Sequence, residues 1–187
     1  MTQNLSHAHA NAAAFFQVEY LEQKDIPSAL SLIERIRTSG TLQQNYHLKP
    51  RTADELIQLL KDGYPLLGIK NEEGELAAFT SISPLDGDDN SFILRSLCTS
   101  PDSKGQGFAK KLLTAALNWM NQNGGGNLTA RVAQNNTDSL AIFLKSGFHQ
   151  ADLLWDDKEK YMVCIMAQQC PNHAESIPVP GYCQRML

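Results

Sequence analysis

The sequence predicts an α/β fold, with a mixed central sheet of about seven strands flanked by about four helices. Three observations lead there. Short apolar runs of strand character alternate with segments of helical period, and turn-forming residues fall between them. One long amphipathic helix begins directly after a glycine-rich turn. The 187 residues suit a single domain of this class.

The elements follow in order. Phe16 to Leu21 alternates apolar and polar residues and reads as a first strand. Asp25 is placed to cap a helix with Pro27 in its first turn, whose apolar face is Ile26, Leu30, Ile33 and Ile36, with Leu32 nearby. Gly40 ends it, and Thr41 to Lys49 shows no period and reads as a loop. Thr52 and Glu55 form a capping box for a short helix through Leu56, Leu59 and Leu60 to Gly63. Strands Pro65–Ile69 and Leu76–Ile82 are joined as a hairpin by Asn71-Glu72-Glu73-Gly74. Pro84 to Asn90 reads as an acidic loop carrying Asp86, Asp88 and Asp89. Ser91 to Thr99 is a fourth strand.

The strongest helix follows, with Phe108, Leu112, Leu113, Ala116, Leu117 and Met120 on one stripe, and Gly124-Gly125-Gly126 stops it. Leu128–Ala133 is a strand, Leu140, Phe143 and Leu144 mark a helix closed by Gly147, and Phe148–Trp155 and Tyr161–Ala167 are the last two strands. The order is β-α-α-β-β-β-α-β-α-β-β. Residues 1–14 read as a flexible leader, 15–168 as the domain, and 169–187 as an irregular tail with Pro171, Pro178 and Pro180.

Composition narrows the function. A hydrophobic fraction of 42% and a charged fraction of 19% are globular values. No apolar run reaches the roughly 20 residues of a membrane span. Met1 to Ala14 lacks a basic region followed by an apolar core, so a cytoplasmic protein without a membrane partner is expected. The net charge of −4 argues against a nucleic-acid partner and is weakly compatible with a cationic substrate. Cys98 and Cys164 lie in apolar strands as ordinary small hydrophobes. Cys170, His173 and Cys183 match no paired zinc spacing and fall short of four ligands, so no metal is expected.

The chemistry concentrates at Lys104-Gly105-Gln106-Gly107-Phe108-Ala109. The first turn of a helix leaves amide donors unpaired and partly positive, glycines let main-chain donors approach an anion, and Lys104 adds a full charge. The construction suits a diphosphate. A Walker loop fails, because Phe108-Ala109-Lys110 stands where Lys and Ser or Thr are needed. A dinucleotide fingerprint fails for want of a third glycine and an acidic residue at the end of the next strand. A purely structural turn satisfies the same residues.

The segment from Leu97-Cys98-Thr99 through Pro101 to Lys104-Gly105-Gln106-Gly107-Phe108-Ala109 resembles motif A of the GNAT superfamily of N-acetyltransferases, with Lys104 where Arg is usual. Asn136-Thr137-Asp138-Ser139 and Ile142-Phe143-Leu144-Lys145-Ser146-Gly147-Phe148 resemble its motif B. The element order is also that family's, and the resemblance spans roughly Phe16 to Gln168.

The resemblance implies a GNAT fold with strands four and five splayed, and acetyl-CoA as co-substrate. Pantetheine would pair with the main chain of Leu97 and Thr99. An amide near Leu97 or Cys98 would face the thioester oxygen. The amides of Lys104, Gly105, Gln106, Gly107, Phe108 and Ala109 would hold the diphosphate, with Asn136, Ser139 and Phe143 bordering the other side of the cofactor. The implied reaction is direct attack on the thioester by a primary amine of a small molecule or peptide. Donors must meet the oxyanion and the amine must lose a proton. Cys98 has no basic partner in view and is not read as a nucleophile.

Two departures stand out. Phe143 occupies the place of the Tyr that protonates the leaving thiolate in many members, and the fourth strand lacks the Glu that often relays the amine proton. Ser139 and Tyr161 are donors by type, and His47 and Glu75 are bases by type, with neither role assigned. A CoA-binding module without turnover, and an O-acyl or longer-acyl enzyme, therefore stand as alternatives. The acceptor pocket is expected from Thr41–Lys49, Pro84–Asn90 and the end near Trp155. The tail, with Tyr182 and Cys183, could cover that mouth or cross to a second subunit, so a homodimer is allowed.

Overall fold

The computed structural model describes residues 16–39, 48–85, 87–158 and 161–169. The strands are β1 (Glu19–Tyr20), β2 (Leu66–Lys70), β3 (Leu76–Leu85), β4 (Asp88–Thr99), β5 (Asn127–Ala133), β6 (His149–Asp156) and β7 (Tyr161–Gln169). The helices are α1 (Ile26–Ser39), α2 (Ala53–Lys61), α3 (Phe108–Gln122) and α4 (Thr137–Lys145), and short 3-10 turns occupy Gln23–Asp25 and Pro101–Ser103. The sheet runs β1-β2-β3-β4-β5-β7-β6. Its β4–β5 pairing is parallel, while β1–β2, β2–β3, β5–β7 and β6–β7 are antiparallel. The predicted mixed sheet, helix count and element order all hold. Among the described residues no helix is long and apolar enough to cross a membrane.

The chain divides into two compact units, whose described residues fall within 1–81 plus 96–112 and within 82–95 plus 113–187. In the first, a core of Ile26, Leu32, Ile33, Leu56, Leu66, Phe79 and Cys98 is closed over by the partly buried Leu30, Ile36, Leu59 and Leu60. Thr52 caps α2 as expected, its hydroxyl accepting from Glu55 N at 3.2 Å while Glu55 accepts from Thr52 N at 2.8 Å. The β2–β3 hairpin closes through Asn71, whose side chain accepts from Glu75 N at 2.7 Å.

Three expectations need correcting. Asp25 does not cap α1; its carboxylate accepts from Glu22 N at 3.0 Å, so Glu22 and Asp25 box a 3-10 turn that leads into the helix. The first strand shortens to Glu19–Tyr20, where pairing with Leu67 and Gly68 stops. Pro84–Asn90 is no open loop, because β3 runs on to Leu85 and β4 starts at Asp88. Sequence patterning misses this because strand pairing overrides the low strand propensity of Pro and Asp. The tail boundary also shifts slightly, since β7 continues to Gln169; residues 1–14 and 170–187 lie outside the described residues, as do His47, Cys170, His173, Tyr182 and Cys183.

In the second unit, the α3 side chain Trp119 meets Phe92 of β4 edge to face, at 5.8 Å between ring centres. That contact sets one face of β4 and β5 against the helix. The predicted α3 stripe is buried at Leu113, Ala116 and Met120. The helix ends on Gly125 N bonding Met120 O at 2.8 Å, the six-to-one bond of a Schellman close.

Candidate active site

Strand β4 carries an irregularity that no sequence signal announced. Ser96 has φ of 57°, the one non-glycine positive φ among the described residues. Such a conformation costs on the order of 1–3 kcal/mol and marks a bulge in a strand. The ladder with β5 covers Ser91 to Leu94 against Asn127 to Ala130 and ends two residues before Ser96. Beyond the bulge, Ser100 N donates to Ala77 O of β3 at 2.7 Å. Amides alternate in direction along an extended strand, so Cys98 shares the β3 side with Ser100. The amides of Leu97 and Thr99 therefore turn to the opposite edge.

The glycine turn follows at once. The 3-10 turn Pro101–Ser103 directs the chain through Lys104, whose amide donates to Pro101 O at 3.2 Å, and Gln106, whose amide donates to Ser103 O at 3.4 Å. Gly105 and Gly107 hold φ of 84° and 77°, which L side chains rarely adopt. A Cβ at either would meet nothing within 4 Å, so space is left in front of both. The first intrahelical bond of α3 runs from Lys111 N to Gly107 O at 3.1 Å, which leaves the amides of Phe108, Ala109 and Lys110 ahead of the ladder. Gly107 has no side chain with which to cap them. Phe108 itself is buried and anchors the helix mouth, meeting Phe16 edge to face at 5.1 Å.

Cys98 is buried, and burial pushes its thiol up to about 12 against a hydrogen bond from the Phe79 main chain. It stays a neutral thiol and cannot serve as a nucleophile near neutral pH. Glu75 lies in the β2–β3 turn, beyond Ala77 and the Ser100 level of β4. Strand rise then puts it about 16 Å along the sheet from the level of Leu97, too far for a base acting there.

The motif B residues lie in the second unit. Asn136 caps α4, its side chain accepting from Ser139 N at 3.2 Å. Phe143 is buried and packs edge to face on Phe148 at 5.0 Å, as an apolar core residue. Tyr161 opens β7 opposite Asp156 of β6. Among the described residues no group of three or more metal-ligating side chains occurs.

The family model described as acetyltransferase (GNAT) matches residues 31–148. A ribosomal protein bS18-alanine N-acetyltransferase of Haemophilus ducreyi is 31% identical over 110 residues, covering 58% of this chain and 72% of that protein. The chain also has the fold of a GNAT phosphinothricin acetyltransferase from Sinorhizobium meliloti, solved in complex with acetyl-CoA (TM-score 0.71, 17% identity, 91% of this chain and 97% of that one). The ribosomal-protein-S18-alanine N-acetyltransferase of Escherichia coli has a TM-score of 0.67 at 19% identity, covering 86% and 97% of the two chains.

Proposed function

The chain belongs to the acetyltransferase (GNAT) family of N-acetyltransferases, and on that premise we propose that it moves the acetyl group of acetyl-CoA to a primary amine of a small molecule or peptide. The observation that carries this reading is the run from Ser96 to Lys110. A bulged strand turns two main-chain amides outward, and it leads directly into a helix mouth with no capping side chain and two left-handed glycines.

In this reading the diphosphate sits at Gly105 to Ala109, held by main-chain donors and the partial positive charge of α3, with Lys104 adding a full charge. Pantetheine runs antiparallel to the outward edge at Leu97 and Thr99. Of the two amides expected from the sequence to face the thioester carbonyl, that of Cys98 turns toward β3, whereas that of Leu97 lies on this edge. The amine nitrogen attacks the carbonyl carbon, the oxyanion draws on that amide, and the C–S bond breaks with the electron pair leaving on sulfur. The attacking nitrogen gives up a proton, and the thiolate takes one from solvent or a nearby donor. Phe143 has no hydroxyl to give, so the leaving group departs without a phenol at that position.

Thiol release from acetyl-CoA in the presence of an amine panel tests the activity, and calorimetry with CoA tests the binding. CoA binding without thiol release for any amine would favour a sensing module. Absence of CoA binding by folded protein would remove the proposal altogether.

A further inference from the structure

The first turn of α3 is poorly held by its own sequence. Helix α2 opens with Asp54 and Glu55, and α4 with Asp138, acids that suit the partial positive charge of a helix start. No acid opens α3, and its first turn carries Lys110 and Lys111 instead. Gly107 supplies no capping side chain, and the ladder starts only with the bond from Lys111 N to Gly107 O. Cations against the dipole and an uncapped end both promote fraying.

A residue far away in the chain grips that turn. Phe16, just ahead of β1, sets its ring edge to face on the buried Phe108 ring, 5.1 Å between centres, and its carbonyl accepts from Lys111 Nζ at 2.9 Å. Phe108 and Lys111 are neighbours on one helical turn, and the ammonium lies 6.0 Å from the centre of the Phe108 ring. All of these residues belong to the first unit. One ring and one carbonyl therefore hold both ends of the turn that the local sequence leaves loose.

Resting on the function proposed above, we infer that Phe16 is a positioning residue for the cofactor: it clasps the first turn of α3 and so holds the amides of Phe108, Ala109 and Lys110 ready for the diphosphate. A ligand that meets donors already in place loses less affinity to ordering them. The Phe16 carbonyl is neutral, so it fixes the Lys111 ammonium beside the helix start without cancelling its charge, which adds to the attraction for an anion. Only the phosphate-bearing part of the cofactor uses this turn. The clasp therefore acts on CoA and is not felt by pantetheine, which lies along β4.

The test is calorimetry on the full-length protein with CoA and, separately, with pantetheine. Phe16→Ala should weaken CoA about 10-fold and leave pantetheine within about twofold, as expected for lost pre-organisation at one end of the ligand. Phe16→Tyr, which keeps the ring, should restore CoA. Phe16→Leu, which keeps apolar cover on Phe108, should show an intermediate loss and serves if Phe16→Ala fails to fold. Hydrogen exchange reads the turn itself: the Lys111 amide, first of the ladder, should exchange faster in free Phe16→Ala and slow again with saturating CoA. In thiol release the loss should appear in KM for acetyl-CoA, with kcat little changed. Unchanged CoA affinity, an equal loss for CoA and pantetheine, or no recovery in Phe16→Tyr would overturn the inference while wild-type CoA binding stands. Absence of heat with CoA for the wild type would instead remove the reading on which it rests.

Discussion

The two glycine clusters that bracket α3 look alike in sequence and are opposite in construction. At the start of the helix, Gly105 and Gly107 are left-handed, exposed, and have open space where a Cβ would go. At its end, Gly126 is also left-handed, with φ of 106°, yet it is buried, and a Cβ there would collide with the main-chain oxygen of Asn90. The second cluster is required by packing: the chain must pass Asn90 closely before β5 begins. The first has no such neighbour. Its glycines are explained by backbone conformation, and the open space in front of them leaves room for the diphosphate proposed there.

Substitution should separate the two clusters, and the largest effect is expected at the first. Gly105→Glu or Gly107→Glu adds a carboxylate in front of the amides of Phe108 to Lys110 and should weaken CoA at least about 100-fold through repulsion and lost donors. The melting temperature should move only a few degrees, since nothing stands within 4 Å of the new Cβ. CoA affinity that survived either change would remove the diphosphate from this turn.

Gly126→Ala should show the reverse pattern. Strain at positive φ and a main-chain overlap together predict a loss of about 2–4 kcal/mol in denaturant unfolding. The molecules that remain folded should bind CoA normally. A variant as stable as wild type would mean that the close approach to Asn90 is relaxed in solution, and the contrast between the turns would fail.

Cys98 sharpens the comparison by separating main-chain from side-chain chemistry. Its thiol is pushed from the ordinary 9.0 to about 12 by burial, so the folded state favours the protonated form. Its contribution is complete below pH 9 and is lost as pH rises toward about 12, where the unfolded chain ionises first. By this linkage, stability should fall by up to about 1.4 kcal/mol per pH unit within that window. Cys98→Ala should flatten this part of the profile. The same substitution should leave acetyl transfer running, because the Cys98 thiol is assigned no role. Abolished turnover in a well-folded Cys98→Ala protein would reinstate a covalent path.

Much of this was legible in the sequence because it is local. The Thr52–Glu55 box, the Asn71 turn and the α3 stripe each depend on residues a few positions apart, and each appears as read. The glycine turn was legible for the same reason. What was missed depends on distant partners. Asp25 looked like a cap, but Glu22 is the residue that closes the turn with it. The Pro84–Asn90 stretch looked like a loop until β3 and β4 paired beside each other. Ser96 is an unremarkable serine, and its positive φ belongs to the strand's departure from regular pairing.

The smallest expected effect tests the first turn most finely. Gly107→Ala adds a methyl group that meets nothing, so any cost comes from φ of 77° alone. For an L residue in the left-handed region that is about 1 kcal/mol of stability. If the turn only needed glycine for its fold, CoA affinity per folded molecule should not change. If the main chain must meet a diphosphate closely, the methyl group should weaken CoA several-fold while the affinity of the pantetheine fragment alone stays the same. Equal loss for CoA and the fragment would put the effect on the strand end of the site, at Leu97 and Thr99, instead of on the helix mouth.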